Sequence, residues 1–364
     1  MQRFMSMLAI GVLVVTSACS RPPVDQGRQM SAATGTYIGD GWARQQPEPS
    51  APGGLALGIG QPVLVGPESQ PDQHGNIWHL VRQDEKAGWV PASHLVLSGQ
   101  ELAAAVHNRC RQILSTTAGD VESMAAATSQ YQSLLALIPG PQADAPFRAW
   151  RETLMELLPT LEASAVFHRV ATYVIAGGED VMADPGLIPD PEVRRGAGMV
   201  LAAGYTVKMS EGLPYLAINP GVLQAFASSL SEPLAAFVRM LAARTARPAA
   251  ADAALMIPWD EVRARAMAAE AWLRENPGLP EAAEVETWMQ NYMWIYLRGL
   301  DNSPIFPFGS DRLDPQLQAS YGHFLEENRD SRFYQQVEEF YRLLEEHNFR
   351  ATPQVRAFMR RTWQ

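Results

Sequence analysis

The sequence predicts an α+β multidomain protein, a small β-barrel of about sixty residues followed by a mainly α-helical domain of stacked helical hairpins. Three observations predict it. Between residues 36 and 98, short runs of β-branched and aromatic residues alternate with Gly, Pro and Asp turns. From residue 101 onward, apolar residues recur every three to four positions, the period of a helix with one buried face. Apolar residues make up 47% of the 364 and charged residues 19%, enough to bury a sizeable core. Acidic residues outnumber basic ones 39 to 29, for a net charge of -10, and the only lysines are Lys86 and Lys208. That balance excludes generic nucleic-acid binding, which needs a basic face to displace counterions. The two cysteines, Cys19 and Cys110, cannot build a disulfide scaffold or a cysteine zinc cage.

The chain opens with Arg3 and a mostly apolar run from Phe4 to Val15. As a helix this run rises roughly 18 Å, too short for a hydrocarbon core of ~30 Å. It therefore reads as a signal segment, residues 1–18, rather than an anchor. Thr16-Ser17-Ala18-Cys19 follows. Small residues let the chain lie extended in a peptidase cleft, and the thiol of Cys19 is the group that accepts a lipid. These residues resemble the lipobox of bacterial lipoproteins, with Thr16 where the family prefers a branched apolar residue. The resemblance implies a processed chain held to the membrane by acyl chains on Cys19. With Ser20 rather than Asp after it, the implied address is the cell envelope, at the outer membrane facing the periplasm. Residues 19–35 lack apolar periodicity and are rich in Pro, Gly, Ser and Gln, as a flexible tether is.

Residues 36–98 carry five expected strands, at Gly35–Ile38, Leu55–Gly60, Pro62–Val65, Ile77–Val81 and Gly88–Val90. The polar stretch from Pro67 to Asn76 and the charged Asp84-Glu85-Lys86 read as turns. Five short strands in so small a unit leave few exposed edges only if the sheet curls toward closure. The spacing Trp78-x-x-Val81, turn, Gly88-Trp89-Val90, then Leu95-Val96 resembles bacterial SH3-like domains, as do Trp42-Ala43-Arg44 and Gly60-Gln61-Pro62-Val63. That resemblance implies recognition of a wall or envelope peptide. Tyr37, Trp42 and Trp89 are the candidate ligand-binding residues, since aromatic side chains offer large contact area at low entropic cost. Trp42 precedes the Pro-rich loop Pro47-Glu48-Pro49, and Trp78 is expected in the core.

Residues 101–364 form the expected helical domain. Asp190-Pro191, Asn219-Pro220, Asp314-Pro315 and Thr352-Pro353 each place a capping side chain before a proline, the signature of a helix start. Pro159 should kink or split the helix that contains it. Within residues 272–348 the sequence echoes itself at an offset of 52: Trp272-Leu273-x-Glu275-Asn276 with Phe324-Leu325-x-Glu327-Asn328, and Val285-Glu286-x-Trp288-Met289 with Val337-Glu338-x-Phe340-Tyr341. Each copy reads as a helix ending at Asn, a turn, and a second helix with aromatics facing back, a form that resembles tetratricopeptide-like repeats. Such hairpins bury their apolar faces only by stacking. The whole order of signal, SH3-like unit and helical body resembles SH3-domain-containing bacterial lipoproteins. Asp252-Ala253-Ala254-Leu255, Pro258-Trp259-Asp260-Glu261 and Gly299-Leu300-Asp301-Asn302 carry that likeness.

Catalytic motifs are sparse. The seven histidines are scattered without the H-E-x-x-H or H-x-H spacing that places two imidazoles on one metal. There is no G-x-S-x-G elbow and no Walker loop. Neither metal nor cofactor is expected. The expected function is a lipid-anchored envelope scaffold. Its SH3-like unit recognises a wall or peptide ligand, and its helical body docks an envelope protein. The alternative is a peptidoglycan-active enzyme targeted by that unit. Its acid would be Glu211 in Ser210-Glu211-Gly212, since a helical lysozyme-like domain uses one Glu raised by burial.

Overall fold

The computed structural model describes residues 33–360. The signal segment, Cys19 and most of the tether lie outside the described residues. The fold is mixed α/β. Its first part is one antiparallel sheet of seven strands: β1 (Ala33–Tyr37), β2 (Trp42–Arg44), β3 (Gly53–Ala56), β4 (Pro62–Pro71), β5 (Ile77–Gln83), β6 (Lys86–Pro91) and β7 (Leu95–Leu97). Their order is β3-β2-β6-β5-β4-β1-β7, so hydrogen bonding runs from edge to edge and does not close. The barrel expected from the sequence is thus not found: the sheet is antiparallel with two open edges, and seven strands replace five.

Two local causes explain the difference. The polar run after Val65 does not turn: after a register shift, Ser69, Gln70 and Pro71 pair with His79, Trp78 and Ile77. Strand pairing is made by backbone groups, so polar side chains facing water do not forbid it. Trp42–Arg44 and Leu95–Leu97 are three-residue strands, too short to show alternation. The sheet's own core gathers Tyr37, Ala43, Leu55, Leu57, Val63, Val65, Val81, Val90 and Leu95. Gly88 has a packing reason, since a Cβ there would lie 2.7 Å from the Ala43 Cβ and 3.2 Å from the Arg44 carbonyl oxygen. Only a glycine lets β2 lie so close against β6.

The helical part begins with α1 (Leu102–Thr116), α2 (Val121–Leu135), α3 (Pro141–Glu162), α4 (Ala165–Gly177), α5 (Asp180–Ala183) and α6 (Pro191–Ala203). A hairpin of β8 (Tyr205–Ser210) and β9 (Leu213–Ile218) interrupts it before α7 (Pro220–Ala227) and α8 (Glu232–Ala246). Next come the short ladder β10 (Ala250–Ala251) with β11 (Ala254–Leu255), then α9 (Trp259–Glu275) and α10 (Ala282–Arg298). The ladder β12 (Gly299–Leu300) with β13 (Ser303–Pro304), then α11 (Pro315–Glu327), α12 (Tyr334–Glu346) and α13 (Pro353–Met359), complete thirteen helices among the described residues.

The four proline-preceded starts cap as their chemistry requires. Asp190 Oδ1 accepts the N–H groups of Glu192 and Val193, and Asp314 Oδ1 those of Gln316 and Leu317. Asn219 accepts from Gly221 and Thr352 from Val355. The expected split at Pro159 does not occur. Helix α3 runs through Pro159 as one element to Glu162, only three residues further on, where a helix is already ending. The mainly helical body also holds a strand hairpin, in which Tyr205–Ser210 pairs along its whole length with Leu213–Ile218.

The two echoed segments fold alike. Asn276 and Asn328 end their helices with backbone N–H groups donated to Trp272 and Phe324, each at 2.9 Å, and their side-chain amides reach the same carbonyls. Glu270 of α9 accepts the Ser331 hydroxyl at 2.6 Å and the Arg332 N–H at 2.7 Å, so the first hairpin holds the turn of the second. Aromatics then run through the stack, Phe237 on Trp288, Tyr296 against Tyr321, Tyr321 against Phe340, and Phe340 on Phe358.

Candidate functional site

The end of β1 organises the site. Tyr37 is fully buried, with 0% exposure, and its hydroxyl accepts the N–H groups of Gly41 at 2.9 Å and Trp42 at 3.0 Å while donating to Asp40 Oδ1 at 3.0 Å. One phenol therefore ties the whole turn leading into β2. Burial, and then the Asp40 charge, push its pKa well above the ordinary phenol range. The turn leaves the Trp42 indole outside, 47% exposed. Asp40 Oδ2 accepts from Arg44 Nη2 at 2.6 Å. Burial alone would raise the Asp40 carboxyl, but attraction to His94 and Arg44 outweighs it and holds the pKa below the usual range.

A 3₁₀ turn, Ala92–His94, delivers His94 to the opposite wall. Its ring stands edge-on to Tyr37 at 6.4 Å, is 9% exposed, and its Nδ1 has no hydrogen-bond partner. Burial, followed by the Arg109 guanidinium, pushes the imidazole down to about 4. Arg109 reaches this region from α1 and donates to the side-chain oxygens of Gln112 and Gln130. On the third side Asp72 accepts four hydrogen bonds, from the Asn76 side chain and backbone, the His74 N–H and the Trp78 indole N–H. These bonds, led by Asn76, lower its pKa to about 2.

Between these walls lies a cleft of about 500 Å³. Trp42, Pro49, Ile77, Trp78 and Pro91 supply its apolar surface, and Asp40, Arg44, Asp72, His94 and Gln112 its polar groups. Gln112 belongs to α1, so the helical body contributes to the wall. An exposed indole beside prolines, rimmed by a fixed ion pair and a turn carboxylate, suits an extended peptide, with apolar side chains on the floor and amides at the rim.

The sequence-predicted residues do not all meet here. Trp42 lines the cleft. Tyr37 is corrected to a core and turn-holding residue, because a fully buried ring cannot touch a ligand. Trp89 is half-buried on β6, opposite Arg44 and Leu80, and does not line the cleft. Glu211 is corrected as well. With Gly212 it forms the exposed two-residue tip of the β8–β9 hairpin, at φ of 51° and 77°. Such a tip has none of the apolar enclosure that a buried general acid needs. Cys19 lies outside the described residues. Sequence reasoning missed Asp40, Asp72, His94 and Gln112 as cleft residues; Asp72 alone had a local signal, in the turn-forming Pro71-Asp72-Gln73-His74-Gly75.

Among the described residues no three His, Cys, Asp or Glu side chains gather as a metal site, and no helix is long and apolar enough to cross a membrane. No protein-family model matches the chain, and no curated protein or solved structure is significantly similar to it.

Proposed function

We propose that this chain is a lipid-anchored recognition protein of the bacterial cell envelope. Acyl chains on Cys19 hold it to a membrane, in our reading the outer membrane on its periplasmic side, and the residues between Cys19 and β1 join the anchor to the folded part. The β unit, which we take as SH3-like, binds a wall or envelope peptide, and the stacked helices dock a partner protein. The observation that carries this reading is the Trp42 cleft, where an exposed indole is presented by a turn that Tyr37 holds from beneath. Exposed tryptophans on rigid supports are the side chains that concentrate binding energy at recognition surfaces. The G-W-V hairpin and the close β2–β6 approach at Gly88 support the SH3-like assignment.

The test is titration of the mature chain, purified from native membranes, with defined wall stem peptides by calorimetry, and intact mass measurement of the same sample. Micromolar binding that drops at least tenfold in Trp42→Ala but not in Trp89→Ala is expected, together with a mass above that of the unmodified polypeptide. Binding that ignores Trp42 would remove the cleft from the proposal, and an unmodified mass would remove the anchor.

A further inference from the structure

A second cavity, about 930 Å³, lies far along the chain from the cleft. It opens where the β8–β9 hairpin, the end of α8 with the β10–β11 ladder, and α10 converge. Tyr215, Met256 and Trp294 leave large apolar surfaces exposed on its walls, Trp294 to 46%. Three cations line it. Lys208 Nζ is paired with Glu179 at 2.7 Å, and Arg247 is paired with Glu261. Arg244 differs. Its guanidinium lies 5.3 Å from the centre of the Trp288 ring, and among the described residues it has no carboxylate or other hydrogen-bond acceptor. The two acids of the lining are otherwise engaged. Glu179 also accepts the Met209 N–H, and Asp252 accepts the Glu211 N–H. Among the described residues the lining thus holds one cation with no carboxylate partner, Arg244, and one carboxylate, Asp252, whose side chain meets a backbone N–H rather than a cation.

We propose that this groove is a second binding site, for an organic carboxylate with an apolar body. Arg244 anchors the carboxylate, and Trp294, Tyr215 and Met256 cover the apolar part. A guanidinium stacked on an aromatic face is held in one plane, so its fork of N–H donors meets a carboxylate in two-point geometry at low entropic cost. The carboxylate can come from a free small acid or from the C-terminus of a peptide. The site shares no residue with the Trp42 cleft, so its failure leaves the proposed function standing.

The probes are N-acetyl-leucine, its amide, and the tripeptide acetyl-Ala-Ala-Leu with a free or an amidated C-terminus, titrated into the full mature chain by calorimetry. The acids are expected to bind at least tenfold more tightly than the amides. Arg244→Gln is expected to abolish that preference, and Arg239→Gln, at an exposed pair with Glu232 on the same helix, to leave it intact. Trp294→Ala is expected to weaken acids and amides alike, a check that does not depend on how Arg244→Gln folds. A tighter free acid or a tighter peptide identifies the source, and both support the site. Equal affinity for acid and amide, a preference that survives in Arg244→Gln, or no binding of any probe at millimolar concentration overturns it.

Discussion

Arg148 on α3 holds Glu281, at the start of α10, by two hydrogen bonds, from Nε at 2.7 Å and from Nη2 at 3.1 Å, across 133 residues of sequence. One turn further along, Arg151 Nη2 meets both carboxylate oxygens of Glu284 at 2.8 Å and its guanidinium lies over Phe237 at 5.1 Å. The early helices are thereby clamped to the first of the two echoed hairpins. Glu281 is 5% exposed, so its charge has Arg148 rather than water for company.

Arg148→Ala should leave that carboxylate buried and unpaired, at a cost of about 3 kcal/mol. Arg148→Met combined with Glu281→Met should recover most of the loss, because the desolvation of both ions vanishes together. Urea unfolding of the parent chain and the two variants measures this. A double variant no more stable than Arg148→Ala would show that the pair's attraction, not the stranded charge, sets the effect.

His94 predicts a pH dependence with a definite sign. Its pKa is about 4 in the folded chain, against an ordinary value of about 6.5 in the unfolded one. As pH falls below 6.5 the unfolded chain takes up the proton first, so stability declines down to about 4 and levels off below. At pH 5 the loss from this group is about 2 kcal/mol. The groups facing the ring are Asp40, which opposes the shift, and Arg109 and Arg44, which reinforce it. His94→Gln should flatten this part of the profile between pH 7 and 5, and an unchanged slope would mean that the imidazole is solvated.

Tyr37 and Trp42 should separate stability from binding. Tyr37→Phe removes the acceptor of two turn N–H groups and should destabilise by about 1–3 kcal/mol. It should also weaken peptide binding, because the turn that presents Trp42 loosens. Trp42→Ala should shift stability by no more than about 0.5 kcal/mol, as expected of an exposed side chain, while removing most of the binding. Thermal unfolding and calorimetry on the same samples distinguish the two roles.

The sequence made some features legible and hid others for physical reasons. Helix starts at Asp190, Asn219, Asp314 and Thr352 were readable because a cap and a proline are both local devices. The Asn276 and Asn328 turns were readable because each helix end repeats the same residues at a fixed offset. The open edges of the sheet were not, since closure depends on which strands meet at the ends, a non-local matter. The sequence marks Trp42, which lines the cleft, but sets Tyr37 beside it rather than beneath it. An aromatic residue next to a turn looks the same in sequence whether its ring faces water or the core. His94 and Gln112 join the cleft only through tertiary packing, and no spacing announces them.

Two glycines on either side of α10 should respond in opposite directions to the same substitution. Gly299 ends α10 at φ 75°, and a Cβ there would lie 2.7 Å from the Ile305 nitrogen and 2.8 Å from the Ser303 carbonyl oxygen. Those atoms belong to the return of the β12–β13 ladder, whose Ser303 hydroxyl oxygen also accepts the Leu255 N–H at 2.9 Å. Gly299→Ala must therefore strain the backbone and push two hairpins apart, and a loss of at least about 1–2 kcal/mol is expected. Gly278, in the turn between α9 and α10, has open space where a Cβ would sit and an ordinary negative-φ conformation. There Gly278→Ala removes freedom only from the unfolded chain and should stabilise by about 0.4–1 kcal/mol. The comparison is made on urea midpoints at constant denaturant dependence. Equal losses at both sites would mean that the turn after Asn276 needs a glycine for a reason other than space or φ.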